Sequence, residues 1–339
     1  MNTILVTGGA GFIGSHTVVE LVKAGYRPII VDDFSNSEHF VIDRLEQILG
    51  TPVTYYEQDY RDTAKLKEVI VKEGVTGIIH FAAHKAVGES VEQPLKYYEN
   101  NVVGLIELLE LCTDSGVKHF VFSSSCTVYG EPDTLPVTEA SALKPASSPY
   151  GSTKQMGETI LNDFASVTKD FNALSLRYFN PIGAHESALI GELPKGVPAN
   201  LIPLVTQAAA GIRDKLTVHG DDYDTPDGTC IRDYIHVVDL ADAHVKALSY
   251  LEKQPATFHD FINVGTGKGS SVLEVIKTFE EVTGEKLTYE IGPRRAGDIV
   301  STYAAVDKSA EDLGWKTEKT LADGLRDAWR WQQTLDKPS

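Results

Sequence analysis

Three sets of residues in this 339-residue chain could do chemistry. The first is Gly8, Gly11 and Gly14, in the run Thr7-Gly8-Gly9-Ala10-Gly11-Phe12-Ile13-Gly14 that directly follows the apolar stretch Ile4-Leu5-Val6. Glycines so spaced, between a strand and a helix, permit a tight turn, let the backbone approach a pyrophosphate and aim helix N–H groups at negative charge. The spacing is GxxGxxG rather than GxGxxG, and its weight comes from the strand–turn–helix setting. The second is Asp32, 18 residues after Gly14 and at the end of Pro28-Ile29-Ile30-Val31. A carboxylate there accepts from both hydroxyls of an adenosine ribose and repels a 2′-phosphate, which predicts NAD rather than NADP. The third is Tyr150-Gly151-Ser152-Thr153-Lys154. Residues four apart share one face of a helix. A free tyrosine titrates near ~10, and a neighbouring ammonium favours its phenolate form. Tyr150 is the only tyrosine with lysine at that offset, which is no more than chance would give, so position carries the argument. Ser123-Ser124-Ser125 ends the preceding strand-like run, and ligands of open α/β sheets bind at the carboxyl ends of strands.

These residues need a scaffold, and the hydrophobic pattern supplies one. Ile4-Leu5-Val6, Pro28 to Val31, Gly77-Ile78-Ile79-His80 and His119-Phe120-Val121-Phe122 read as strands buried on both faces, with Asn172 to Arg177 as a further strand. Helical patterns cover Ile13 to Ala24, Ala64 to Glu73, Val102 to Ser115 and Tyr150 to Phe164. Alternation of this kind predicts βαβ units, hence an α/β protein with a Rossmann-type doubly wound parallel sheet. Past Pro181 the texture changes: Gly and Pro thicken, and helices at Leu201–Ala210, Val237–Leu251, Ser271–Thr283 and Thr320–Thr334 alternate with short strands. The expected organisation is a cofactor domain over residues 1–180 and a smaller mixed α/β domain, mainly substrate-binding, over 181–339. The tail Asp336 to Ser339 is expected to fray.

Composition limits the partners. Lys plus Arg number 31 against 48 Asp plus Glu, a net charge of −17, which argues against nucleic acid or an anionic membrane as the main partner. No apolar run approaches the ~20 residues of a membrane span, and the start Met1-Asn2-Thr3 lacks a basic, cleavable leader. Cys112, Cys126 and Cys230 form neither a disulfide framework nor a zinc pattern. No metal site is expected: His80 and His84 straddle a strand end. The tryptophans Trp315, Trp329 and Trp331 read as packing, Asp221-Asp222-Tyr223-Asp224 as a solvated loop, and Cys126 as a small buried filler. A cytoplasmic enzyme is the expectation.

Glycine fingerprint, serine and Tyr-x-x-x-Lys, in that order, resemble the extended branch of the short-chain dehydrogenase/reductase superfamily. Phe81-Ala82-Ala83-His84-Lys85-Ala86-Val87-Gly88-Glu89-Ser90, Tyr97-Tyr98-Glu99-Asn100-Asn101, Ser123 to Gly130, Arg177-Tyr178-Phe179-Asn180-Pro181, Arg232-Asp233-Tyr234-Ile235-His236 and Arg294-Arg295-Ala296-Gly297-Asp298 extend the likeness to the nucleotide-sugar 4-epimerases of that branch, over nearly the whole chain. The resemblance implies tightly bound NAD and interconversion of UDP-glucose with UDP-galactose, through a transient 4-keto sugar and without net redox. It implies Tyr150 as proton acceptor from the sugar 4-hydroxyl, Lys154 as its tuner and a hold on the nicotinamide ribose, and Ser125 as hydrogen-bond partner of the reacting oxygen. Matching cofactor positions are Gly8, Gly11, Phe12, Ile13, Gly14, Asp32, Asp33, Phe34, Ser35, Asn36, Ser37, Asp59, Tyr60, Phe81, Ala82, Ala83, Lys85, Asn100, Ser125, Tyr150, Lys154 and Phe179. Matching UDP-sugar positions are Lys85, Ser125, Tyr150, Asn180, Asn200, Leu201, Thr217, Val218, His219, Tyr234, Asp298 and the clamp Arg232 and Arg295. On their own, two arginines in loops are ordinary solvated residues; the resemblance carries their assignment.

Relatives on the same scaffold differ just after the active-site serine. Dehydratases carry an acidic pair there and decarboxylases a glutamate; here Cys126 and Thr127 supply no acid. An epimerase of UDP-glucuronate, or another NAD-dependent nucleotide-sugar epimerase, is the alternative, and a non-catalytic NAD sensor would not need all of Ser125, Tyr150 and Lys154. Four residues beyond Asp298 the family carries a gate at the sugar 2-position. Here it is Thr302, which implies room for UDP-N-acetylglucosamine and UDP-N-acetylgalactosamine unless Tyr303 swings in. The resemblance also implies a homodimer paired through Lys96 to Ser115 and Tyr150 to Phe164.

Overall fold

The apolar runs of the first half become strands because each is covered on both faces, which a parallel sheet requires. They are β1 (Thr3–Thr7), β2 (Arg27–Asp32), β4 (Val75–His80), β5 (His119–Ser125) and β6 (Asn172–Tyr178), joined at the sheet edge by the half-exposed β3 (Thr54–Glu57). In this computed structural model, which describes residues 2–255, 257–295 and 297–335, neighbours pair in parallel in the order β3-β2-β1-β4-β5-β6. Ile4 and Val6 of β1 pack into one apolar layer with Val18, Leu21 and Ile30, while Leu5, between them, faces the other layer with Ile29, Ile78 and Leu108. The strand order reverses between β1 and β4, and a crevice at that point is where such sheets hold ligands. The frayed tail expected at Asp336 to Ser339, and Ala296, lie outside the described residues.

The second half builds β7 (Asn180–Ile182), β8 (Leu216–His219), β9 (Ile231–His236), β10 (Phe258–Val264), β11 (Gly269–Ser271), β12 (Tyr289–Gly292) and β13 (Ser301–Thr302). β9 centres a small sheet, with β7 and β13 parallel to it and β11 antiparallel, and β8 pairs with β12 alone. Helices Leu201–Ala209, Val272–Thr283 and Leu321–Leu335 cover this part through Val205, Phe279 and Leu325. The change of texture at Pro181 marks the start of this region, but the chain does not stay in it. Helix Val237–Leu251 packs against the large sheet through Leu240 and Leu248, and β10 pairs in parallel with β6, from Phe258 opposite Asn172 to Val264 opposite Tyr178. The large sheet therefore has seven strands, the last supplied from beyond residue 180.

The helix that carries Tyr150 spans Pro149–Val167. Its start is set by Ser148, whose hydroxyl accepts the Gly151 N–H at 3.2 Å, and by Pro149 in the first turn, both favoured at helix N-termini. The helix expected from Val102 begins instead as a π-helical turn, Glu99–Val103, and continues as Gly104–Ser115.

Candidate active site

The glycine turn sits where β1 meets β4. Gly8 has φ +69°, and a side chain on it would come within 2.9 Å of the Ala82 backbone nitrogen. A side chain on Gly14 would meet the Gly8 carbonyl oxygen at 2.2 Å. Gly11 differs: its Cβ direction meets only the Gly8 carbonyl, at 3.2 Å. Gly8 and Gly14 thus close the turn, and Gly11 leaves it open at the start of helix Phe12–Lys23, a terminus with no side-chain cap. An anionic pyrophosphate fits that cradle.

Asp32 is buried at the tip of β2. Its Oδ2 accepts the Ala10 N–H at 2.9 Å; its Oδ1 accepts the Phe34 N–H at 3.0 Å and the Ser37 hydroxyl at 2.8 Å. Burial pushes its carboxyl up, against those three bonds. A carboxylate has about four acceptor directions, so two ribose hydroxyls would displace Ser37. Asp33 holds Ser35 through both its N–H, at 2.9 Å, and its hydroxyl, at 2.6 Å. Asp59 is bound by Arg61 (2.6 Å to Nη2); burial would raise its carboxyl, but Arg61 holds it below the usual carboxylate range. Tyr60 reaches the Asn100 carbonyl, and Asn100 donates to Asn101 at 2.9 Å. Phe179 is buried, and Lys85 is half exposed, 3.7 Å from Glu192.

Tyr150, Lys154 and Ser125 come together. All three are buried, Tyr150 and Lys154 on one face of their helix and Ser125 at the end of β5. Lys154 Nζ donates to the Ser123 carbonyl at 2.6 Å and lies 5.8 Å from the Tyr150 ring centre. An ammonium has three donors, and this is its one hydrogen bond to the described residues, so it can receive ribose hydroxyls. The expected lowering of Tyr150 by Lys154 is not what the protein alone provides. Burial pushes the phenol up, the Tyr178 phenol adds to it, and a hydrogen bond with Ser125 pulls back. Burial also pulls Lys154 down to about 8, against the carboxylate of Glu158.

Glu158 had no assigned role, yet it is one more turn along the Tyr150–Lys154 face. Arg177 of β6 grips it with two parallel bonds, Nε at 2.8 Å and Nη2 at 2.7 Å, and the Ser124 hydroxyl adds a third at 2.6 Å. Arg177 also donates to the Tyr129 hydroxyl at 3.1 Å, and Tyr129 to Asn263 at 2.6 Å. The Tyr178 hydroxyl bonds Ser123. Spacing could have flagged Glu158; its partner comes from another strand, which spacing does not show.

The substrate side assembles around β9. Arg295 donates to Asp298 (Nη2 at 2.8 Å), and Arg232 Nη2 lies 3.8 Å from the same carboxylate. Thr302 is buried and in register with Arg232. The Tyr303 ring lies against Gly269 of β11, 3.1 Å from where a Cβ would stand, while Thr302 pairs with Arg232. Asn180 is in register with Tyr234, which is buried and whose phenol burial pushes up. Asn200 bonds Glu192 at 2.7 Å and precedes the helix opened by Leu201. Thr217, Val218 and His219 lie on β8, with His219 near the Pro293 carbonyl at 3.3 Å.

Other expectations fare unevenly. His80 is held by Thr7 at 2.7 Å, and burial pulls it down to about 3. Among the described residues no cluster of three metal-binding side chains occurs. Trp315 and Trp331 are buried, and Trp329 meets Phe279 edge-on. Burial pushes the Cys126 thiol up to about 12. The acidic run at 221–224 is not simply solvated: Tyr223 is buried, with the Arg294 guanidinium 4.1 Å over its ring and Asp222 bonded to Arg294 at 2.6 Å.

A family model described as GDP-mannose 4,6 dehydratase matches residues 5–328. The UDP-glucose 4-epimerase of Bacillus subtilis is 49% identical over 331 residues, 98% of this chain and 97% of that one. The chain belongs to the UDP-glucose 4-epimerase family. Two solved members of the family have the same fold. The enzyme from Stenotrophomonas maltophila, with bound NAD and formylated UDP-arabinopyranose, is 46% identical with a TM-score of 0.96 and 99% of each chain covered. That from Bifidobacterium longum, in complex with NAD+ and UDP, is 47% identical with a TM-score of 0.94 and 98% of each covered. Against the broader dehydratase model, Cys126 and Thr127 stand where a dehydratase needs its acids, in keeping with the epimerase family.

Proposed function

We propose that this protein interconverts UDP-glucose and UDP-galactose with tightly held NAD, and that Tyr150, Ser125 and Lys154 carry the chemistry. The observation that carries the reading is the convergence of Tyr150, Ser125 and Lys154 in one buried site at the end of β5, beside a glycine turn open at Gly11. Bound NAD supplies a reversible acceptor for the hydride at sugar C4. Tyr150 takes the proton of the 4-hydroxyl and later returns it to the keto oxygen. Ser125 shares a hydrogen bond with that oxygen and with Tyr150. Lys154, held by the Ser123 carbonyl, supplies positive charge to the phenolate and donors to the ribose. Arg232 and Arg295 exchange Asp298 for the substrate diphosphate, which a bidentate guanidinium suits. Conversion of UDP-galactose to UDP-glucose tests the reading. No conversion, or conversion of UDP-glucuronate alone, would overturn it; the latter is the alternative.

Acceptance of N-acetylated UDP-sugars belongs to the same proposal. Thr302 is a whole ring smaller than tyrosine and the Tyr303 ring lies against Gly269, which supports room for an acetamido group. Wild type should epimerise UDP-N-acetylglucosamine and Thr302→Tyr should lose that activity while keeping UDP-glucose; inactivity of wild type on the acetylated sugar refutes the gate. A homodimer is also proposed. Val103, Ile106 and Met156 are exposed on the two helical segments expected to pair, an apolar face of the kind that marks interfaces. Light scattering should give twice the chain mass. A cytoplasmic location is supported by three unpaired cysteines and is checked by cell fractionation.

A further inference from the structure

The segment after β7 runs from the substrate side back over the cofactor side, and it is fastened along its length. Ala184 bridges to Gly191. Gly191 lies flat on the Trp331 indole, where a Cβ would stand 2.5 Å from the ring, and Trp331 Nε1 donates to the Glu192 carbonyl at 2.9 Å. Arg44, from helix Phe40–Leu49, donates to the Leu189 carbonyl at 3.0 Å. The Glu192 carboxylate accepts from Asn200 and faces Lys85. Between these anchors Lys195 reaches across to the other half: its Nζ donates to the Phe34 carbonyl at 3.0 Å and lies 3.6 Å from Glu38.

Phe34 is where such a contact matters. Its φ is +54°, a left-handed conformation that a bulky residue holds only when its surroundings impose it. Its ring is buried and stacked 4.0 Å from His39. Its N–H is held by Asp32 Oδ1, and its carbonyl by Lys195. The strained residue is therefore gripped on one side by the carboxylate read as the ribose acceptor, and on the other by a cation from the substrate half.

We propose that Lys195 is a positioning residue for the cofactor: it bolts the Phe34–Glu38 turn, and through it Asp32, to the substrate-side strap, so that NAD leaves only when this contact opens. The inference rests on the NAD site proposed above. Charge suits the role, since an ammonium can hold a carbonyl and a carboxylate together.

The test is exchange of labelled NAD from the loaded, full-length protein into excess unlabelled NAD. Lys195→Ala should release label roughly tenfold faster than wild type, the scale of one charge-assisted hydrogen bond at a partly exposed site. Lys195→Arg, which keeps charge and donors, should stay within about twofold of wild type. Activity lost on dilution of Lys195→Ala should return with added NAD. Wild type that carries neither labelled nor resident NAD would overturn the cofactor reading and this inference with it. Wild type that holds label while Lys195→Ala exchanges at the same rate, or while Lys195→Arg exchanges as fast as Lys195→Ala, would overturn the role of Lys195 alone.

Discussion

Two arginine–carboxylate pairs lie in the halves of this molecule, and they are built for opposite purposes. Arg177 and Glu158, behind the catalytic helix face, are each 3% exposed and meet in two parallel bonds, with Ser124 and Tyr129 satisfying further polar atoms. Arg295 and Asp298, at the proposed substrate clamp, are three residues apart in one segment, the arginine 57% exposed and the aspartate 14%. Removing one partner of a buried pair strands a charge and costs about 3–5 kcal/mol; opening an exposed pair costs about 0–1 kcal/mol. The first pair can only stay closed, which holds helix Pro149–Val167 against β5 and β6. The second can trade its carboxylate for a diphosphate at little cost. In the proposed clamp, a chain of net charge −17 would keep its arginines neutralised until a stronger anion arrives.

The sharpest way to break this contrast is at the reacting atoms. Tyr150→Phe should cut turnover by roughly 10²–10⁴-fold, the usual worth of a general acid–base group, while UDP binding by calorimetry stays near wild type. Next, Glu158→Ala should lower unfolding free energy by about 3–5 kcal/mol in urea titrations, whereas removing the exposed partner, Arg295→Ala, should change it by less than about 1 kcal/mol; equal losses would erase the distinction. Third, Arg295→Ala should raise KM for UDP-glucose roughly 10–100-fold with little change in kcat, the signature of lost charge-assisted binding.

The smallest expected effect is a pH dependence. Burial lowers Lys154 to about 8 in the folded protein from 10.5. Between those pH values the unfolded chain binds more protons than the folded one, so this residue's contribution to stability rises with pH across that window. At pH 7 the buried ammonium is a net cost. Lys154→Met in NAD-stripped protein should therefore melt a few degrees higher at pH 7, with the gain shrinking from pH 8 towards pH 10.5. A gain independent of pH would mean that packing, not charge, was relieved.

Legibility in the sequence followed how local the cause was. The glycine turn, Asp32 and the Tyr150–Lys154 face depend on spacing within a short stretch, and the fold brings each to the crevice. β3 was not read, because Thr54–Glu57 alternates half-buried with exposed residues at the sheet edge rather than forming an apolar run. β10 was missed for a related reason: His259, Asp260 and Asn263 interrupt its apolar residues, and Asn263 serves the Tyr129 network. The burial of Tyr223 was misread because its cover, Arg294, comes from a distant segment. The balance at Tyr150 was misjudged because a spacing reveals a nearby cation but not the loss of water around both groups.

The return of β10 to β6 has a consequence for how the protein is made. Parallel strands separated by more than 80 residues cannot close locally, and such non-local pairing slows folding. During synthesis, β6 is complete while its partner is still untranslated. At about 5–20 residues per second, an open strand edge is left unpaired for roughly 4–16 s, exposed to pairing with other nascent chains. Strands β7, β8 and β9 are made in that interval, so the large sheet is sealed only after they have emerged. The length of that window is written into the strand order.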